Sequence, residues 1–257
     1  MNAIKRLLEK LRKVSAQRSC TCDACGREVF SYPTPRLCEQ CLQSMIVNDG
    51  FQCEKCGRAT RGEGVCSTCK KARPEFQKGA SALAYFDFSA MLVNRFKNGK
   101  RHLSNYFAEE MEKVLDRLPK REYVLVPVPL TKQKRRLRGY NQAEELALRL
   151  SELTGYACKL DLLEKKRDGE QKQRSFQQRR ESVVGSFRVT DRAYCKGKDF
   201  LLIDDVMTSG ATLSEIASRL LRAGAASVCA LALSAVPDID YDSVNLDSLG
   251  FDGEKTP

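Results

Sequence analysis

The chain has no tryptophan, a single histidine and no uninterrupted apolar run of the length a membrane-spanning helix needs, about 18 residues. Each absence removes a class of function. Without such a run a transmembrane helix is excluded, and residues 1–19 lack the apolar core of a secretion signal, so a soluble cytoplasmic protein is expected. The lone His102 offers no constellation for general acid–base work and is expected at the surface. Aromatic residues are scattered (Phe51, Phe76, Tyr85) rather than interleaved with basic ones, which argues against a base-stacking surface. The mononucleotide loop G-x-x-x-x-G-K-[ST] is also missing.

What remains is enough for a packed α/β domain plus a smaller module: 257 residues, 42% hydrophobic. The formal net charge is +11. Asp238, Asp240, Asp242, Asp247, Asp252 and Glu254 crowd the last segment against Lys255, so the rest of the chain is more basic still. Such a surplus suits phosphates, nucleic acid or an anionic membrane face, and it equally describes a solvated surface.

Composition divides the chain into four parts. Residues 1–19 place Ile4, Leu7, Leu8, Leu11 and Val14 at helical spacing among lysines and arginines, an amphipathic helix that docks on its own protein, a partner or a membrane surface. Residues 20–74 are rich in Cys and Gly. From 79 to 237 apolar runs at 82–86, 123–128, 200–203 and 227–233 read as strands, and 103–118, 142–153 and 213–223 read as amphipathic helices. Strands alternating with helices predict a mainly parallel sheet covered on both faces. The acidic tail, 238–257, has no period and is expected to be flexible.

Eight cysteines form four C-x-x-C pairs: Cys22/Cys25, Cys38/Cys41, Cys53/Cys56 and Cys66/Cys69. Each such turn aims two thiolates at one metal, and two turns complete a tetrahedral zinc site. Disulfides or paired redox sites fit less well, since nothing marks the chain as secreted and four pairs crowd one short segment. Spacing allows sequential sites or interleaved ones. With every ligand a thiolate, one or two Zn2+ ions would be structural, supplying about 10–16 kcal/mol of folding energy to a segment short of large apolar residues. Cys158, Cys195 and Cys229 read as ordinary buried thiols.

The strongest signal is Phe200-Leu-Leu-Ile-Asp204-Asp205-Val206-Met207-Thr208-Ser209-Gly210-Ala211-Thr212. A buried strand here delivers two carboxylates to the C-terminal edge of a sheet, where ligands of α/β folds collect. Asp204 and Asp205 can accept bonds from two vicinal ribose hydroxyls or partner the hydration shell of Mg2+. Residues 208–212 can wrap a phosphate with backbone N–H groups and hydroxyls at the start of a helix near Thr212. Each piece alone has an ordinary explanation, an Asp pair capping a helix or a plain turn. The ordered whole is specific.

That stretch resembles the phosphoribosyl pyrophosphate (PRPP) signature of type I phosphoribosyltransferases. With the Cys pairs, Phe96-Lys97-Asn98-Gly99, Pro127-Val128-Pro129 and Arg135-Arg136-Leu137-Arg138-Gly139-Tyr140-Asn141-Gln142, it resembles the ComF family from Cys22 to about Val236. The resemblance implies PRPP binding with Mg2+, a zinc module, and a role in competence and DNA uptake, with single-stranded DNA or a helicase-like protein as a partner. It implies that the Pro127–Leu130 loop lies near the pyrophosphate and that 163–183, with Gln173, forms a flexible lid. The residues agree: 165–180 is polar and charged without a helical stripe. Lys97, Arg135, Arg136 and Arg138 would neutralise a departing pyrophosphate. Ser209 replaces a second Thr common in the family, and Ser182 replaces an Asn.

Overall fold

The computed structural model describes residues 20–29, 37–166 and 184–238. The N-terminal segment 1–19, most of the expected lid with Gln173, and nearly all of the acidic tail lie outside these residues.

Four parallel strands form the central sheet: β3 (Gly79–Ala84), β4 (Tyr123–Pro127), β7 (Asp199–Met207) and β8 (Ser227–Ala235), in the order β3-β8-β7-β4. β3 and β8 are buried along their whole length, and small residues (Gly-Ala-Ser-Ala, Ala-Leu-Ala) let other elements close on them. Between strands run α3 (Asp87–Lys97), α4 (Leu103–Glu112), α5 (Lys132–Arg138), α6 (Gln142–Thr154) and α8 (Ala211–Arg222). Alternation along β7 sends Leu201 and Ile203 into a core with Phe96, Phe107 and Leu146. It sends Phe200 and Leu202 into a second core with Leu213, Ile216 and Leu220 of α8. The expected mainly parallel α/β architecture is therefore present, with helices on both faces.

Several elements differ from expectation. Two helices stand where none is expected from the sequence: α3, which ends at Lys97, and α5, which holds Arg135, Arg136 and Arg138. α5 is started by Thr131, whose hydroxyl caps Lys134 N–H, and stopped by Gly139 at φ 78°. The expected 103–118 helix stops at Glu112 and gives way to a 3-10 turn at Leu115–Arg117. β7 continues past Ile203 to Met207 because β8 runs alongside it, Val206 opposite Ser234 and Met207 opposite Ala235.

The cysteine segment is built from short pieces: the ribbon β1 (Cys20–Thr21) with β2 (Glu28–Val29), and the helical turns α1 (Glu39–Gln43) and α2 (Ser67–Lys71). Its two halves join opposite faces of the sheet. Cys22 and Cys41 pack into the Phe96 and Phe107 core, whereas Cys53, Cys56, Cys66 and Cys69 pack into the α8 core. Buried Asp23 pins the first half: its carboxylate accepts from Lys100 Nζ at 2.9 Å and pairs with His102 Nε2. His102 is thus a half-buried structural partner, not the free surface residue expected.

The second half sits against β3 through two glycines. A Cβ on Gly57, whose φ is +72°, would lie 2.5 Å from the Gly79 carbonyl oxygen, and one on Gly79 would lie 2.9 Å from the Cys56 carbonyl oxygen. Backbone meets backbone, so nothing flexible can yield. Gly57→Ala is expected to cost about 2–4 kcal/mol, from left-handed strain plus overpacking, read as a lower urea midpoint at unchanged slope. A midpoint within error of wild type would show that the knuckle does not need this approach.

Candidate functional site

β7 carries the Asp204–Asp205 pair to the C-terminal edge of the sheet. The pair is locked locally: Asp205 N–H donates to Asp204 Oδ1 at 2.9 Å, and the Ser234 hydroxyl of β8 donates to the Asp205 carbonyl at 3.2 Å. Lys97 Nζ, at the end of α3, lies 3.5 Å from Asp205 Oδ2 and 5.9 Å from the centre of the Tyr85 ring. Burial, and then the adjacent Asp205 carboxylate, push the Asp204 carboxyl up to about 8, against the opposing pull of the Asp205 N–H, Lys97 and Lys165. Asp204 therefore holds its proton through neutral pH unless a cation or a hydrogen-bond donor arrives.

After Met207 the chain turns through Thr208, Ser209 and Gly210 into α8. Gly210 stands at φ 74° as the N-cap, over the buried Met207 side chain. Ser209 Oγ accepts from Ala211 N–H at 3.3 Å, and the Gly210 carbonyl accepts from Ser214 N–H at 2.9 Å. The N–H groups of Ser209, Gly210 and Thr212 find no acceptor among the described residues. Open donors of this kind, at the positive end of a 12-residue helix, favour an anion. Ala211 and Thr212 form the first turn.

β4 ends beside this pair. Val128 N–H donates to the Ile203 carbonyl at 2.9 Å, immediately before Asp204, and the Val128 carbonyl accepts from Asn141 Nδ2 at 3.0 Å. Asn141 is also the N-cap of α6, accepting from Ala143 N–H. The Arg-Gly-Tyr-Asn-Gln motif thus has a structural logic: Gly139 stops α5, Tyr140 packs on Phe96 at 6.0 Å between ring centres, and Asn141 starts α6 while holding the Pro127-Val128-Pro129 segment. The structure brings Asp204, Asp205, the 206–212 turn, Lys97, Pro127 and Val128 to one sheet edge. Two of the arginines are engaged elsewhere: Arg135 pairs with Glu144 at 2.5 Å and Arg138 donates to Gln142 at 2.9 Å, both on α6. Arg136 is exposed on α5.

The residues on either side of 167–183 are described. A ribbon of β5 (Leu163–Lys165) and β6 (Phe187–Val189) carries the chain into and out of residues 167–183. Gly185 N–H donates to Glu215 of α8 at 2.9 Å.

The cysteines gather sequentially: Cys22, Cys25, Cys38 and Cys41 in one group, Cys53, Cys56, Cys66 and Cys69 in the other, with the sulfurs of each group within 4.8 Å of one another. The spacing fits zinc. Tetrahedral Zn–S bonds of about 2.3 Å put sulfurs about 3.8 Å apart, and Cys25–Cys38 and Cys56–Cys66 stand at 3.7 and 3.8 Å. Backbone N–H groups already point at the sulfurs: Cys38 N–H at Cys22, and Cys56 and Cys66 N–H at Cys53. Although burial acts against it, donors from Cys25, Cys38 and Ala24 bring the Cys22 thiol down to about 6. Cys53 is lowered by its neighbouring cysteines, while burial raises Cys41, and Cys66 and Cys69 are raised mainly by the sulfurs around them. In each group some thiols are lowered while others are raised, Cys56 joining Cys53 on the lowered side, and a divalent cation is what lets all four ionise together. Four-cysteine ligation leaves no open position, so either group would hold zinc structurally.

One residue at the site has no signal in the sequence. Arg58, 4% exposed, donates from Nε to Cys56 Sγ at 3.3 Å and from Nη2 to the Thr208 carbonyl at 2.5 Å. Burial opposes its charge, and the Cys56, Cys66 and Cys69 sulfurs more than offset that.

The raised Asp204 carboxyl has a measurable consequence. Its unfolded counterpart ionises at its ordinary value of 3.8, the folded group at about 8. Stability is therefore full below about pH 4 and declines as pH rises to about 8. Asp204→Asn lacks this loss, so its melting temperature should gain on wild type steadily from pH 4 to pH 8 and level off above. A pH-independent gap would mean that Asp204 is ionised throughout.

Comparison with known proteins agrees with this geometry. Residues 137–248 match the phosphoribosyl transferase domain family. Over 210 residues the chain is 28% identical to competence protein ComFC of Bacillus subtilis, covering 78% of this chain and 85% of that protein. Over 223 residues it is 26% identical to DNA utilization protein YhgH of Escherichia coli K12, covering 76% of this chain and 94% of that one. Among solved structures, the allosteric regulatory enzyme of purine biosynthesis aligns with 75% of the chain at 18% identity and a TM-score of 0.35, the chain spanning only 37% of that enzyme. The chain is thus similar over most of its length to the ComFC and YhgH proteins, matches the phosphoribosyl transferase domain over residues 137–248, and holds two cysteine groups fit for zinc.

Proposed function

We propose that the edge formed by Asp204, Asp205 and residues 208–212 binds PRPP or a related ribose 5-phosphate ester. The observation that carries this reading is the conjunction at the end of β7 of a carboxylate pair and a turn of open N–H donors leading into α8. The 5′-phosphate would accept from the Ser209, Gly210 and Thr212 N–H groups and the Thr208, Ser209 and Thr212 hydroxyls. Asp204 and Asp205 would accept from the two ribose hydroxyls, and as hard oxygen donors they suit the hydration shell of a Mg2+ ion, which would spread the pyrophosphate charge. Pyrophosphate would face Lys97 and the Pro127-Val128-Pro129 segment.

In a transfer, the bond from ribose C1 to pyrophosphate breaks, its electron pair leaves with pyrophosphate, and an acceptor's lone pair forms the new bond at C1. Lys97 would favour this step by meeting the negative charge that grows on the leaving oxygen. Titrating PRPP with Mg2+ should raise the melting temperature, the shift growing with the logarithm of ligand concentration above the dissociation constant. The Asp204→Asn, Asp205→Asn double variant should lose most of that shift. An equal shift in both proteins would remove the assignment.

A second reading concerns single-stranded DNA. It is favoured by α5, where Lys132, Arg136 and the 80% exposed Leu137 face solvent on one short basic helix of a chain carrying +11. Its relatives are called competence and DNA utilization proteins. Affinity for a single-stranded oligonucleotide should fall steeply with salt, and Lys132→Glu with Arg136→Glu should weaken it and flatten the salt slope. Binding indifferent to both salt and charge reversal would discard α5 as a DNA surface.

A further inference from the structure

Arg58 belongs to neither cysteine ligand set nor to the 208–212 turn, yet it touches both. Its side chain leaves the knuckle that follows Cys56, where the Cys53 N–H also donates to the Arg58 carbonyl at 2.9 Å. The guanidinium then spans from Cys56 Sγ to the carbonyl of Thr208, 150 residues away in sequence. A guanidinium is a rigid planar fork, so its two ends cannot move independently. Fixing one on the sulfur cluster fixes the other.

The Thr208 carbonyl matters because the peptide bond is planar and trans: the Ser209 N–H points opposite to it. With the carbonyl held toward the module, the Ser209 N–H is turned the other way, toward the side on which the phosphate donors open. Rotating that peptide would leave a buried charged donor without its acceptor, a costly alternative. Other contacts tie the same parts together. Glu75 N–H donates to Ser214 of α8 at 3.0 Å, and the Asp238 carboxylate, just beyond β8, accepts from Ser67 N–H at 2.8 Å and from its hydroxyl at 2.5 Å.

We propose that Arg58 is a positioning residue that sets the phosphate-binding turn from the Cys53/Cys56/Cys66/Cys69 cluster. Ribose-phosphate binding at 208–212 and metal retention at that cluster are then thermodynamically coupled. The proposal rests on the ribose-phosphate reading above and adds to it the element that orients the turn. Coupling is reciprocal: whatever the cluster contributes to the ligand, the ligand returns to the cluster. The first cluster, on the other face of the sheet, has no such link among the described residues and serves as an internal control.

The test uses the full-length zinc-loaded protein with ribose 5-phosphate as the probe. By calorimetry Arg58→Met should bind it about tenfold more weakly than wild type while keeping the wild-type zinc content. Arg58→Lys should remain weakened, since an ammonium cannot span both the sulfur and the carbonyl. In a chelator challenge, saturating ribose 5-phosphate should slow the release of one zinc equivalent in wild type and of none in Arg58→Met. Affinity within twofold of wild type in a zinc-replete Arg58→Met would overturn the proposal. So would zinc release from wild type that ribose 5-phosphate leaves unchanged, and this arm decides alone should Arg58→Met fail to fold or to hold zinc. Wild type that binds no ribose 5-phosphate removes the underlying reading and the proposal with it. Binding that ignores Arg58 removes the proposal only.

Discussion

The candidate site depends on the pairing of β7. Phe200, Leu201, Leu202 and Ile203 are fully buried, which gives the strand cores on both faces and holds it at the centre of the sheet. Its neighbours stop at different points. β4 pairs only as far as Ile203, while β8 accompanies β7 to Met207. Asp204 and Asp205 therefore lie where one ladder has ended and the other continues. Their backbone is held by β8, and on the β4 side the last link is Val128 N–H to the Ile203 carbonyl, just before them. Pro127, which has no N–H to donate, sits at that strand end without breaking a ladder inside the sheet. Asp204 can keep a proton at neutral pH first because it is buried, and then because the rigid strand does not let Asp205 move away.

The cysteine segment solves a different problem. It has few large apolar residues, and without a metal the thiols of each group cannot all ionise together. The sheet divides the work between two groups that dock on opposite faces by different chemistry. The first is clamped through Asp23 by Lys100 and His102 at the start of α4. The second is inserted against β3 through Gly57 and Gly79 and reaches the phosphate turn through Arg58. Metal binding in the second group thus bears on the same packed core as α8, at whose start the open N–H donors lie.

Much of this was legible in the sequence. The apolar run of β7, the Asp pair and the small hydroxyl-rich turn follow one another in chain order, so the strand, the edge and the helix start could be read together. The parallel α/β class followed from the alternation of strand-like and helix-like periods, and the four C-x-x-C pairs pointed to one or two zinc sites with the pairing open. What was not legible is what distant segments decide. The extension of β7 to Met207 requires β8 beside it, and charged residues such as Asp204 and Asp205 carry no strand propensity of their own. Helix α5 was obscured because Lys-Gln-Lys-Arg-Arg-Leu-Arg has no apolar stripe, only a Thr cap before it and a Gly stop after it. The choice between sequential and interleaved cysteine groups turns on which face of the sheet each knuckle docks against, and spacing says nothing of that.

Arg58 is the clearest case of a residue whose meaning is purely tertiary. In a basic chain one more arginine beside a cysteine pair reads as surface charge. Its 4% exposure reverses that reading, because a buried guanidinium must find acceptors for its donors or be strongly unfavourable. Two of the acceptors it finds are a sulfur of the metal group and a carbonyl of the phosphate turn. A lysine would satisfy the charge but not the geometry, since only the planar fork reaches both at once. An exposed cation is solvated by water at no such cost, whereas Arg58 is buried, and the two parts it joins supply acceptors that offset the cost.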